Sequence, residues 1–138
     1  MRGEDGLLIT LSAQPKNVSV VRQAVGEHAE KLGMARSRIA DLKTAVSEAC
    51  ANVVLHAYED CGEPGPLEVE LVPGERELSV VVRDSGGGIR ARAPNPRPSL
   101  RMGLQLIGAL SSRFQLISTR GQGTEIRIQL PLSETGSK

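Results

Sequence analysis

The sequence predicts an α+β fold: a two-layer sandwich, with about three helices packed on one face of a mixed, mostly antiparallel five-stranded sheet. Three observations carry this. Five short segments alternate apolar and polar residues with a period of two, as half-buried strands do. Three longer segments repeat apolar residues at helical spacing. Most connections between the strands are too short for a parallel crossover, which favours antiparallel neighbours and leaves the helices to cover one face.

The elements follow in order. Leu7, Ile9 and Leu11 alternate with Leu8, Thr10 and Ser12 in a first strand. Pro15–Asn17 opens a helix whose stripe is Val18, Val21, Val25 and Leu32, and Gly33 stops it. Ser37 is a good N-cap for a second helix, striped by Ile39, Leu42, Val46, Ala49 and Val53. That helix is expected to reach about Tyr58, before Gly62–Pro66 breaks it. The period then becomes two. Leu67, Val69 and Leu71 alternate with glutamates, Pro73–Gly74 turns the chain, and Leu78, Val80 and Val82 return as an antiparallel partner. Asp84–Ser99 holds a run of glycines and then Pro94, Pro96 and Pro98, which no helix or inner strand tolerates; an ordered turn and then a mobile loop are expected. Leu100 to about Leu110 reads as a short helix. Phe114, Leu116 and Ser118 alternate as a strand, Gly121–Gly123 connects tightly, and Ile126, Ile128 and Leu130 line the last strand.

Composition narrows the function. The 138 residues make one domain, with an ordered core over about 7–132 and a frayed tail at 133–138. Seventeen basic side chains against 16 acidic ones leave a net charge of +1, which argues against a chain that coats nucleic acid or an anionic membrane. Aromatics are 1%, only Tyr58 and Phe114, so base-stacking platforms are excluded. Cys50 and Cys61 are too few for a disulfide framework and suit a reducing compartment. The apolar runs are short of a membrane span, and the first residues lack a signal-peptide core. A soluble cytoplasmic domain is expected, with no membrane partner and no direct nucleic-acid partner.

Four places carry candidate chemistry. Glu48 and Asn52 stand one helical turn apart beside the apolar stripe. A carboxylate there can take a proton from a hydroxyl, and an amide oxygen can ligate a hard cation such as Mg2+; an ordinary solvated helix face presents the same pair. Asp84-Ser-Gly86-Gly87-Gly88-Ile89 follows a strand, and its glycines allow close backbone approach to a ligand. The spacing Gly86-x-Gly88-x-x-Ala91 also fits a dinucleotide fingerprint, but the prolines deny it the helix that fingerprint needs. Seven arginines (Arg83, Arg90, Arg92, Arg97, Arg101, Arg113 and Arg120) share their span with a single acid, Asp84, a patch suited to polyphosphate or simply a solvated basic loop. Gly121-Gln-Gly123-Thr124 opens the last strand, where Thr124 adds a hydroxyl that could meet a phosphate. Cys50, Cys61, His28 and His56 do not form a credible metal set.

The order of these signals is more specific than any one of them. Glu48-Ala-Cys-Ala-Asn52 with His56-Ala57-Tyr58, then Asp84-x-Gly86-x-Gly88-Ile89, then Gly103-Leu104 opening a helix, then Gly121-x-Gly123-Thr124, resembles the four-box pattern of GHKL-type ATPases. Within them, the short length and the stretch Ser47–Tyr58 resemble the bacterial anti-sigma-factor serine/threonine kinases. The resemblance runs from about Leu7 to Leu130. It implies ATP and Mg2+ as cofactors. Asn52 would hold the metal, and Glu48 would act as general base on a protein serine. Asp84 would accept from the adenine amino group. Gly86 and Gly88 would let the backbone pass close to the nucleotide, Ile89 would be among the nucleotide-binding residues, and Arg90–Arg101 would form a lid. Gly103 and Leu104 at the helix start would face the phosphates, and Thr124 would close the site. Arg101 stands where relatives commonly carry glycine; it either crowds the lid or offers charge to the γ-phosphate. The implied function is an ATP-dependent serine/threonine kinase that phosphorylates a STAS-domain antagonist and sequesters a sigma factor, as a homodimer. The alternatives are a nucleotide-dependent binding module without turnover, or an ATP-binding domain related to sensor histidine kinases.

Overall fold

Each alternating segment folds as a strand: β1 (Leu7–Ser12), β2 (Pro66–Pro73), β3 (Glu77–Asp84), β4 (Arg113–Thr119) and β5 (Gly123–Pro131). The helical segments are α1 (Pro15–Lys31), α2 (Arg36–Asn52) and α3 (Pro98–Leu110). A computed structural model describes residues 6–58, 62–86, 98–119 and 122–134, without the side chains of 98–102 and 119. The strands form one sheet in the order β1-β2-β3-β5-β4. Expected to be mostly antiparallel, the sheet is antiparallel at every pairing, because α3 returns the chain to the far edge before β4 and β5 close as a hairpin.

Local chemistry sets the helix ends. Pro15 occupies the first turn of α1, where a missing N–H costs nothing. The Asn17 amide donates to the Ser12 carbonyl at 2.8 Å, which ties α1 to the end of β1. Gly33 ends the helix at φ +85°; its N–H donates to Glu30 O, and that of Met34 donates to Ala29 O, the paired bonds of a Schellman cap. The start of α2 departs from expectation. Its N-cap is Ala35 rather than Ser37, and no side chain caps it. A tertiary bond anchors the chain there instead, from Ala35 N–H to Leu132 O at 2.8 Å. Arg38 donates to the carbonyls of Ser133 (3.0 Å) and Glu134 (3.3 Å), so the first two residues of the expected tail are held; 135–138 lie outside the described residues. Regular α2 ends at Asn52, and Val53–Ala57 continues as a π-helical turn. The last helix begins at Pro98, two residues before the expected start.

The sheet buries one face. Leu67, Val69 and Leu71 of β2, Leu78, Val80 and Val82 of β3, and Ile126, Ile128 and Leu130 of β5 are each at most 3% exposed. Register places them side by side: Val69 faces Val82, and Val82 faces Ile126. All three helices supply the second layer, through Val21, Val25, Leu42, Val46, Ala49 and Ile107. Fully burying one such side chain is worth about 1.5–3 kcal/mol. The opposite face carries charge. Arg83 is bonded there to Glu68 (2.8 Å), Glu70 (3.0 Å) and Glu125 (3.0 Å), and Arg127 joins Glu125.

Candidate functional site

Glu48 and Asn52 meet the third helix. Asn52 is the last residue of α2 and is 7% exposed, and its Nδ2 is buried with no hydrogen-bond partner. Gly103 of α3 lies against both side chains. A Cβ built there would stand 3.1 Å from Glu48 Oε1 and 3.2 Å from Asn52 Oδ1. An orphaned buried amide costs about 1–3 kcal/mol in a finished core, and Nδ2 is a donor that a ligand oxygen would satisfy. Asn52 also supplies a hard oxygen. Among the described residues no three His, Cys, Asp or Glu side chains group as a metal cage. The donors that do converge, Asn52 Oδ1 and Glu48 Oε1, are hard oxygens, the ligand type that Mg2+ takes along with water and phosphate.

Asp84 forms a second group at the end of β3. Its Oδ1 accepts from the Gly86 N–H at 2.9 Å and the Thr124 N–H at 3.2 Å. Burial pushes its carboxyl above the ordinary range, and those two amides pull it partly back. Two glycines are required by close approach. A Cβ on Gly86 would fall 2.1 Å from the Ala57 carbonyl oxygen. Gly123 has φ +105°, and its Cβ would fall 2.1 Å from Asp84 O. The end of the π turn thus touches the glycine turn after Asp84, so the Asn52 group and the Asp84 group share one continuous wall.

Tyr58 completes that wall. Its hydroxyl donates to Pro66 O at 2.6 Å and accepts from Ser85 N–H at 2.8 Å. The ring passes where Gly65 has no side chain; a Cβ there would lie 2.4 Å from the ring. The motif His56-Ala57-Tyr58 by itself implies no role for the tyrosine. Its signal in the sequence is that it is the only tyrosine; in the fold it directly follows the π turn that continues α2.

Other expected residues fall elsewhere. Arg83 does not join a polyphosphate patch; it points to the far face, because side chains alternate along β3 and Asp84 takes the other side. Arg113 is exposed opposite Gln129, also on the far face by register. Gly103 sits in the second turn of α3, not at its start, so the free amides of the helix end are not its own. Leu104 is half-buried and packs against the core. Thr124 is tied by its own amide to Asp84, which places it in that group rather than beside Glu48. Cys50 is buried, its thiol pushed up to about 12 by burial, which makes it a core residue. Gly88, Ile89, 90–97 of the expected lid, Cys61 and Gly121 lie outside the described residues, as does the side chain of Arg101. An open groove between α1 and α2, lined by Arg22, Glu27, Glu30, Ile39 and Lys43, shares no residue with either group and mixes both signs of charge.

Known proteins share this fold. Residues 11–130 match the histidine kinase-like ATPase domain. The anti-sigma F factor of Clostridium acetobutylicum is 33% identical over 132 residues, covering 89% of this chain and 91% of that protein. The serine-protein kinase RsbW of Bacillus pumilus is 38% identical over 84 residues, or 60% of this chain; the match spans about half of that relative, 52%. Among solved structures, the RsbU and RsbW domains of a Mycobacterium tuberculosis protein superpose with a TM-score of 0.72 at 26% identity, covering 92% of this chain and 32% of that one. The wall from Glu48 to Gly123 thus sits in a known frame, and the chain belongs to the histidine kinase-like ATPase domain family, in the group of the anti-sigma F factors and RsbW serine-protein kinases.

Proposed function

We propose that the chain binds ATP along the wall from Glu48–Asn52 to Asp84 and transfers the γ-phosphoryl group to a serine of a STAS-domain antagonist. In the same reading it sequesters a sigma factor, acts in the cytoplasm and works as a homodimer. One observation carries the reading: Glu48 and Asn52 converge on the bare backbone of Gly103, with Glu48 Oε1 and Asn52 Oδ1 at 3.1 and 3.2 Å from where its Cβ would stand and the Asn52 Nδ2 buried and unbonded beside them.

The roles follow from the chemistry. Asp84 accepts from the amino edge of adenine, held in place by the amides of Gly86 and Thr124. Asn52 holds the metal through its amide oxygen. Mg2+ held there would supply positive charge against the charge that develops on the transferred group. Glu48 takes the proton of the serine hydroxyl as its oxygen bonds to phosphorus, while the bond to the β-phosphate oxygen breaks and ADP leaves. Phosphoryl transfer demands mainly positioning, and a helix-borne base one turn from a metal ligand supplies it.

Glu48→Ala tests the base. Transfer is expected to fall at least about 100-fold, with Mg-ADP affinity nearly unchanged. Labelled-phosphate transfer and calorimetric titration measure the two. Equal transfer by variant and parent removes Glu48 from the mechanism. A parent that binds ATP but phosphorylates no STAS-type protein leaves a nucleotide-dependent binding module.

A further inference from the structure

The π turn between Asn52 and Tyr58 adds a residue to a helical turn, a device frequent at functional sites. Here its effect is visible. It sets the Ala57 carbonyl against Gly86 and swings the Tyr58 ring over Gly65. The single hydroxyl proton goes to Pro66 O, which leaves a lone pair for Ser85 N–H. Pro66 opens β2, its neighbour Leu67 pairs with Asp84, and Ser85 follows Asp84 in the chain. One side chain therefore joins the segment after Asn52 to both strands that present Asp84.

We propose that Tyr58 is a positioning residue for base recognition: it holds the Asp84–Gly86 turn in the orientation that reads the adenine amino group, and so sets base selectivity. The inference rests on the nucleotide reading above. A plain staple would hold the fold and leave selectivity alone. A positioning role acts on the base and spares the phosphates, because the bond is made beside Asp84 and not beside Asn52.

Two variants separate these roles. Tyr58→Phe keeps the ring and removes both bonds. Gly65→Ala keeps the hydroxyl and displaces the ring, since the new Cβ would stand 2.4 Å from it. Parent and variants are titrated by calorimetry with Mg-ADP and with Mg-IDP, which carries an oxo group where ADP carries the amino group. The parent is expected to prefer ADP. Tyr58→Phe is expected to lose about tenfold in ADP affinity, with IDP affinity within about twofold. Gly65→Ala shifts the preference the same way, and the double variant is no worse than either single one, because both act through one contact. If Gly65→Ala does not fold, Tyr58→Phe alone decides. An unchanged ADP-to-IDP ratio in Tyr58→Phe overturns the proposal, as does an equal loss for both nucleotides or a parent indifferent between them. A parent that binds neither nucleotide overturns the ATP reading itself.

Discussion

If the proposed function holds, Asp84 serves stability and binding in opposite senses. Burial disfavours its ionised form, and the Gly86 and Thr124 amides only partly compensate. A carboxyl whose folded pKa lies above its unfolded one stabilises most when protonated. That contribution is full below the ordinary value of 3.8 and is lost as the pH rises through the raised one. In Asp84→Asn the amide oxygen can accept the same two N–H groups without carrying charge. The variant is therefore expected to melt at or above the parent temperature at neutral pH. Its advantage should vanish at the acid end, where the parent carboxyl is protonated. Mg-ATP affinity is expected to fall about tenfold or more, because the acceptor loses its charge and gains a donor beside the adenine amino group. Melts across pH, paired with titrations, check both signs. A parent more stable than the variant at neutral pH would contradict the burial argument.

At the level of elements, the proposed function assigns phosphates and metal to the seam between α2 and α3. Gly103 is an exception to helix chemistry, since alanine is better there by about 1 kcal/mol. The new methyl would stand 3.1 Å from Glu48 Oε1 and 3.3 Å from Asn52 Nδ2, side-chain atoms that can yield by a few tenths of an ångström. Gly103→Ala is expected to keep or raise the melting temperature and, on the proposed function, to weaken Mg-ATP binding by about tenfold, because the methyl would displace the Glu48 carboxylate and the Asn52 amide. Binding as tight as in the parent would move the phosphates away from this seam. Gly86 and Gly123 differ in kind. Their neighbours at 2.1 Å are backbone oxygens, so a methyl there displaces the chain itself.

Across the whole molecule, the open sheet face links three strands by charge. Burial pushes the Glu125 carboxyl up, but the hydrogen bonds and charges of Arg127 and Arg83 outweigh it and hold the group below its ordinary value. A depressed carboxyl adds stability above its unfolded pKa and loses it as the pH falls through the folded one. The loss therefore comes below the usual glutamate range. Arg83 is a third exposed, so the network is screened and worth about 1 kcal/mol in all. Arg83→Met is expected to lose about that much at neutral pH in urea unfolding. The gap between variant and parent should close at acid pH and narrow in high salt. A gap that stays constant with pH and salt would assign the loss to packing of the arginine stem.

Much of this was legible in the chain. Periods of two and of 3.6 are local, so the element order, the buried face and the hairpin at Pro73–Gly74 could be read directly. The chemistry of Glu48, Asn52 and Asp84 is carried by residue type and spacing on single elements; folding brings Glu48 and Asn52 together at Gly103 and ties Asp84 to Gly86. Long-range register decided the rest. Arg83 reads as part of a basic patch until the sheet sets it between glutamates up to 42 positions away. The start of α2 depends on a bond to Leu132, and the first tail residues depend on Arg38. The π turn, and the tyrosine it delivers to Ser85, required both strands to be in place. Local composition tells which face of an element is apolar, but only the closed sheet tells which distant groups share a hydrogen bond.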